Sequence, residues 1–208
     1  MAVDGARPRV REVWLVRHGA TEWSSSGRHT GRTDVALTEE GREQARALGR
    51  RLGGRPFGAV LTSPLQRATE TCRIAGYLDV AHVEPALREW DYGEYEGLTT
   101  ERIRERVPGW TIWNGPVPGG ETIDEVAARA RHVLAEVAAV DGDAALFAHG
   151  HILRVLAACW LDVDPHTGRL LALDTAALCV LGFEHETRVV RTWNEAADLL
   201  PVPEDANG

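Results

Sequence analysis

The chain alternates short apolar runs with longer amphipathic stretches. Residues 13–16, 59–61 and 144–148 are apolar runs bounded by polar or turn-forming residues. That is the pattern of strands buried on both faces. Residues 81–83 form a weaker run suited to a sheet edge. Leu37-Thr38 opens a helix with Gly41, Ala45, Leu48 and Leu52 at helical spacing, and Gly53-Gly54 closes it. Thr122 and Glu125 make a capping box ahead of an apolar face of Ile123, Val126, Ala127, Ala130, Val133, Leu134 and Val137. Residues 152–161 continue as an apolar helix. In Thr62-Ser63-Pro64-Leu65-Gln66-Arg67, Ser63 suits an N-cap, Pro64 the first helical position and Gln66 the capping-box partner. Arg67 then falls in the first helical turn. Residues 178–183 and 188–193 predict a closing hairpin. Residues 20–35 read as one long polar loop, and residues 99–118, with Trp110 and Trp113, as a short helix and a flap. Strands alternating with helices predict an α/β fold. One domain over 1–208 is expected, with its core at about 11–196, a loose arm over 1–10 and a disordered tail over 201–208.

Charge narrows the function. A formal net charge of −8 argues against a nucleic-acid binder, which needs a basic face. Any anion site must therefore be a local concentration of positive groups. All 23 basic residues are arginine, so lysine chemistry such as a P-loop or a Schiff base is excluded. Cys72, Cys159 and Cys179 lie among apolar residues without metal-ligand spacing and read as buried hydrophobes in a reducing compartment. No apolar run is long enough for a membrane span, and the first ten residues contain no leader-like apolar core, so a cytoplasmic location is expected.

Basic residues fall at the carboxyl ends of three predicted strands: Arg17-His18, Arg67 and His149. In open α/β sheets that rim is where ligands bind. Arginine offers a planar fork for phosphate oxygens, and a helix N-terminus adds backbone donors. An arginine in a first helical turn opposes the helix dipole, a misplacement that an intervening anion would relieve. Histidine serves as clamp or nucleophile according to its protonation. Glu89, in the acidic and aromatic run from Leu87 to Gly97, is a candidate general acid. His149-Gly150-His151 reads by itself as a helix cap or as half of a metal site. Trp90, Trp110 and Trp113 suit either a cleft wall or core packing. His82, His132, His166 and His185 read as surface or core fillers.

Leu15-Val16-Arg17-His18-Gly19-Ala20-Thr21-Glu22-Trp23 resembles the signature of the histidine phosphatase superfamily, the phosphoglycerate mutase-like proteins. Thr30-Gly31, Asp34, Leu37-Thr38, Gly41 and Gln44-Ala45 match its next block. Thr62 to Ala68 with Thr71, then Glu89, Tyr92-Gly93 and Glu96-Gly97, then Gly120-Glu121-Thr122, then Ala148-His149-Gly150, follow in the same order. The resemblance covers residues 12–195 and is strongest to bacterial acid phosphatases and the sedoheptulose bisphosphatase branch. It implies a three-layer α/β/α fold with a mostly parallel central sheet. It also implies a phosphomonoesterase that uses neither metal nor cofactor, acts on small phosphorylated metabolites and is free to form a homodimer.

In that scheme His18 attacks phosphorus, its other ring nitrogen held by a backbone acceptor. Arg17, Arg67 and His149 bind the equatorial oxygens, and Glu89 protonates the leaving oxygen. Ser24, Thr30, Gly31, Tyr92 and Gly150 are the implied substrate contacts, Ser24 standing where many members carry Asn. Arg28, His29 and Arg32 either meet a second phosphate or sugar hydroxyls or form a solvated loop face. His151 is expected to back the site or face solvent. The resemblance leaves phosphoglycerate mutase activity and a non-catalytic phospho-ligand module as alternatives. Mutases of the cofactor-dependent type carry a long basic insertion after the acidic loop, which is absent between Gly97 and Thr122.

Overall fold

The computed structural model of the chain describes residues 10–196. Residues 1–9 of the expected arm over 1–10 and the expected tail over 201–208 lie outside them, while Val10 begins the first strand instead. Strand β1 (Val10–Arg17) pairs in parallel with β4 (Gly142–Ala148), β4 with β2 (Ala59–Thr62), and β2 with the edge strand β3 (Ala81–Val83). The hairpin β5 (Leu178–Glu184) and β6 (Thr187–Glu195) adds two antiparallel strands on the other side of β1. The sheet order is β3-β2-β4-β1-β5-β6. Because β1, β2 and β4 are parallel, they end on one rim, where the three basic motifs meet.

Alternating side chains build two cores. Val13, Leu15, Ala144, Leu146 and Ala148 face a cluster that includes α5 (Ile123–Ala138) and α6 (Gly150–Trp160). Val16, Ala145 and Phe147 face the other, with Leu48 and Leu52 of α2 (Glu39–Leu52) and Cys72 of α3 (Gln66–Ile74). Helices therefore cover both faces, giving the expected three layers. Cys72, Cys159 and Cys179 are all buried free thiols. No helix among the described residues is long and apolar enough to cross a membrane.

Four local expectations need correction. Residues 20–35 are not all loop: α1 (Glu22–Ser25) forms because Thr21 and Ser24 cap each other reciprocally. Helix α3 begins at Gln66 with Leu65 as N-cap and no side-chain cap, so Ser63 and Gln66 form no capping box. Tertiary partners take both groups: Ser63 Oγ meets His149 Nε2 at 2.7 Å, and the Gln66 side-chain amide donates to the Asp34 carbonyl. Helix α6 starts at Gly150, with His149 as its N-cap, two residues earlier than expected. Residues 99–118 hold the short helix α4 (Thr100–Arg104), but Trp110 is 1 % exposed, so this segment packs into the core rather than forming a free flap.

The turn after β1 depends on two glycines. A Cβ at Gly19 would stand 2.3 Å from the Gly41 carbonyl oxygen, and one at Gly41 would stand 2.1 Å from the Ala20 oxygen. Only glycine at both positions lets the first turn of α2 abut the backbone that carries His18.

Candidate active site

His18 follows directly on β1, its backbone N–H donating to Ala148 O of β4. Its Nδ1 lies 2.7 Å from the Gly19 carbonyl oxygen, which can only accept. The ring proton therefore sits on Nδ1, and Nε2 carries the lone pair. Burial holds the imidazole well below the ordinary histidine range, Arg17 and Arg67 add to this, and the Gly19 contact opposes it. His18 is thus a neutral, oriented base, with the backbone acceptor expected from sequence.

Arg17 ends β1. Its Nη1 donates to Leu173 O at 2.5 Å. Its buried Nε has no hydrogen-bond partner among the described residues. Burial lowers its pKa, while Glu89, Tyr92 and Asp174 oppose that shift.

Arg67 and His149 lie behind His18, each 0 % exposed. Arg67 Nε donates to His149 Nδ1 at 3.1 Å. Its Nη1 donates to Thr33 O, and its Nη2 to Thr30 O and Gly31 O. Of five N–H donors, one on Nη1 remains. His149 accepts at Nδ1, so it must donate from Nε2 to Ser63 Oγ. Its ring centroid is 5.1 Å from that of His18. Burial first, then Arg67, holds it neutral as well. With both nitrogens occupied, His149 does not form half of a metal site. The one group of described residues with ligand atoms close enough for a metal, Glu84, His132 and Glu136, includes none of the candidate catalytic residues.

Glu89 is 8 % exposed. Its carboxylate accepts from the backbone N–H groups of Trp90, His151 and Ile152, each at 2.9 Å. Two of these donors belong to the first turn of α6, so the same helix start that follows His149 aims Glu89. The loop behind Glu89 is tied down by Arg129. Its guanidinium grips Glu121 through Nε and Nη2, and donates to the Ala86 and Arg88 carbonyls through Nη1.

Arg17, His18 and Glu89 line one cavity of about 180 Å³, together with Ser24, Arg28, His29, Thr30, Tyr92, Gly150, His151, Arg154 and Leu173. Gly31 is not in this cavity. It lines a larger one of about 530 Å³ on the far side of Glu89, where Arg32, Asp91, Glu121 and Arg129 also sit and which touches neither Arg17 nor His18. A Cβ on Gly31 would stand 2.6 Å from Trp90 O, so its glycine serves close packing, and its carbonyl holds Arg67. Ser24 reaches the catalytic cavity, but its hydroxyl already donates to Thr21 O and accepts from Thr21 N. Arg28 and His29 border the cavity. Arg32 instead pairs with Asp91 at 2.6 Å. Trp90 and Trp110 are each 1 % exposed and Trp113 is 9 % exposed, so all three are core. Of the remaining histidines, His82, His132 and His185 are exposed and His166 is half-buried.

Sequence reasoning missed four groups: Ser63 as acceptor for His149, Leu173 O as the anchor of Arg17, Arg129 as the brace of Glu89, and Arg154 in the cavity wall. Arg154 was detectable, since it lies one helical turn after Gly150 on the face that starts α6. It stacks on Trp113, its Cζ 4.7 Å from the ring centroid. The other three depend on long-range contacts that no local pattern encodes.

Residues 13–196 match the family model of the histidine phosphatase superfamily (branch 1). An acid phosphatase of Mycobacterium tuberculosis is 40 % identical over 184 residues, covering 86 % of this chain and 90 % of that protein. The sedoheptulose 1,7-bisphosphatase of Saccharomyces cerevisiae is 33 % identical over 182 residues, covering 72 % and 67 %. A 2,3-bisphosphoglycerate-dependent phosphoglycerate mutase of Gloeobacter violaceus is 33 % identical over 188 residues, covering 83 % and 84 %. The solved structure of an open reading frame product of M. tuberculosis superposes with a TM-score of 0.85 at 37 % identity, covering 90 % of this chain and 99 % of that one.

Proposed function

The chain belongs to the histidine phosphatase superfamily and is a phosphatase of phosphorylated metabolites, and from that premise we propose that it hydrolyses phosphomonoesters of small metabolites through a phosphohistidine on His18, without a metal. The observation that carries this reading is the buried Nε of Arg17, a donor with no partner among the described residues, on a side chain that lines the same cavity as His18. A buried donor without a partner is costly unless a ligand satisfies it. A phosphate oxygen fits that need.

The reaction runs in two displacements. The His18 Nε2 lone pair attacks phosphorus in line with the leaving oxygen. A P–N bond forms and the P–O bond breaks, and protonated Glu89 gives its proton to the departing alkoxide. Arg17, with the spare Nη1 donor of Arg67, offsets the charge on the equatorial oxygens. His149 holds Arg67 in place, and since its one N–H, at Nε2, is held by Ser63 Oγ, its own contact to phosphate requires that bond to give way. Water then attacks phosphorus, Glu89 takes its proton, the P–N bond breaks and inorganic phosphate leaves. The backbone donors on Glu89 fix the carboxyl where both proton transfers occur.

The likeness to an acid phosphatase and to a sugar bisphosphatase supports sugar phosphates and bisphosphates as the substrate class. The short stretch between Gly97 and Thr122 favours hydrolysis over mutase chemistry. A phosphate-release screen across sugar mono- and bisphosphates, with His18→Ala as blank, tests the activity. Rapid-quench labelling should trap an acid-labile, base-stable phosphoryl group in wild type and none in the variant. Interconversion of 3- and 2-phosphoglycerate faster than phosphate release would reverse the preference for hydrolysis.

A further inference from the structure

This inference rests on the phosphatase reading and deepens it. Tyr92 Oη lies 2.7 Å from His151 Nδ1. Tyr92 is 2 % exposed, and burial holds its phenol well above the ordinary range, so it is a neutral hydroxyl with one hydrogen. That hydrogen has one acceptor in contact among the described residues, His151 Nδ1. A buried hydroxyl uses the acceptor available to it, so Tyr92 donates and the His151 ring proton sits on Nε2. Burial also keeps His151 well below the usual histidine range, so the ring carries no second proton. Trp113 and Trp90 pack against the ring at centroid distances of 5.5 and 6.3 Å.

Nε2–H has no partner among the described residues. The side chain keeps 19 % exposure and lines the same cavity as Arg17 and His18. The backbone N–H of His151 donates to Glu89 Oε2 at 2.9 Å. Glu89 serves the leaving oxygen, so the ring stands on the leaving-group side. We propose that His151 is a specificity-determining residue whose Nε2–H donates to an oxygen carried by the leaving alcohol. The preferred substrate is then the phosphate of an alcohol that bears a hydroxyl or carboxylate near the ester, rather than a hydrocarbon or aryl phosphate. His151 does not take part in proton transfer; it reads the alcohol.

The test compares kcat/KM for glucose 6-phosphate and for 3-phosphoglycerate with kcat/KM for phenyl phosphate. Glucose 6-phosphate offers hydroxyls alone and 3-phosphoglycerate a hydroxyl with a carboxylate, so a ratio that falls for both marks a hydroxyl as the group read and one that falls for 3-phosphoglycerate alone marks the carboxylate. Gln places an amide N–H near the Nε2 position, and Asn near Nδ1. The oxygenated-to-aryl ratio should fall about tenfold or more in His151→Ala and His151→Asn, and stay within about threefold of wild type in His151→Gln, consistent with loss of one buried hydrogen bond. A ratio within about twofold of wild type in His151→Ala, or better retention by Asn than by Gln, overturns the proposal. Should His151→Ala fail to fold, Tyr92→Phe carries the test, because it frees the ring to move its proton to Nδ1 and must also lower the ratio. A wild-type enzyme that hydrolyses none of the three esters sinks the phosphatase reading itself. An active enzyme whose ratio ignores residue 151 sinks only this inference.

Discussion

His18 owes its neutrality to its surroundings: burial, two arginines and one carbonyl leave Nε2 bare at any pH near neutral. Replacing it with alanine should abolish turnover while circular dichroism stays native, and undiminished hydrolysis would remove it as nucleophile. Glu89→Gln keeps the shape but has no acidic proton to give, and its amide cannot accept like a carboxylate at both ends. Esters with poor leaving groups should slow by about 100-fold or more, within the range of general acid catalysis, and p-nitrophenyl phosphate far less. Equal slowing of both would count against the proton transfer. At this scale much was legible in sequence, because Arg17-His18, Arg67, Glu89 and His149 sit in motifs whose chemistry is local. What stayed hidden was occupancy. Nothing in the sequence says that Arg67 spends its donors on Thr30, Thr33 and Gly31, or that Gly31 faces a different cavity from His18.

Elements position these groups through a few ties. Arg129 of α5 braces the 86–89 backbone while gripping Glu121, which in turn accepts from Asp91 N–H. Arg129→Met should lower kcat with little change in KM for phosphate esters, since it loosens Glu89 without touching the phosphate. A change confined to KM would refute that role. The α2 contact makes a second case. Gly41→Ala forces a Cβ against Ala20 O and should cost about 1–3 kcal/mol. Differential scanning calorimetry would read that as a drop of roughly 2–4 °C in Tm per kcal/mol; an unchanged Tm would mean that the helix shifts freely. The helices with strong periodicity and complete caps, α2 and α5, were legible in sequence. Helix α1 was not, because four residues are too few to show a period. The start of α3 was misread because Ser63 and Gln66 carry the right cap chemistry but find better partners across the fold.

The whole molecule pays for its site in acid. His18, His149 and His151 are all held well below the usual histidine value by burial, and His29 is pushed down to about 4. The folded state stays unprotonated at these rings where the unfolded chain, with ordinary histidines, takes up protons. Their contribution is therefore complete above about pH 6.5 and is lost as pH falls below it. The net charge of −8 works the other way on acidification but is spread over a screened surface. Melting temperature should fall continuously from pH 7 to pH 5, with uptake of more than one proton on unfolding; a flat profile would contradict the buried neutral rings. Sequence could place the sheet and its rim, since parallel strands with basic ends leave few arrangements, but not this pH cost, which depends on burial. The anchoring of Arg67 by loop carbonyls has a calorimetric side as well. A guanidinium already immobilised by folding loses little freedom when phosphate arrives, so the entropy of ordering the clamp belongs to the folding transition and not to the binding isotherm. Freeing it, by lengthening the 30–33 loop, would move that penalty into every catalytic cycle.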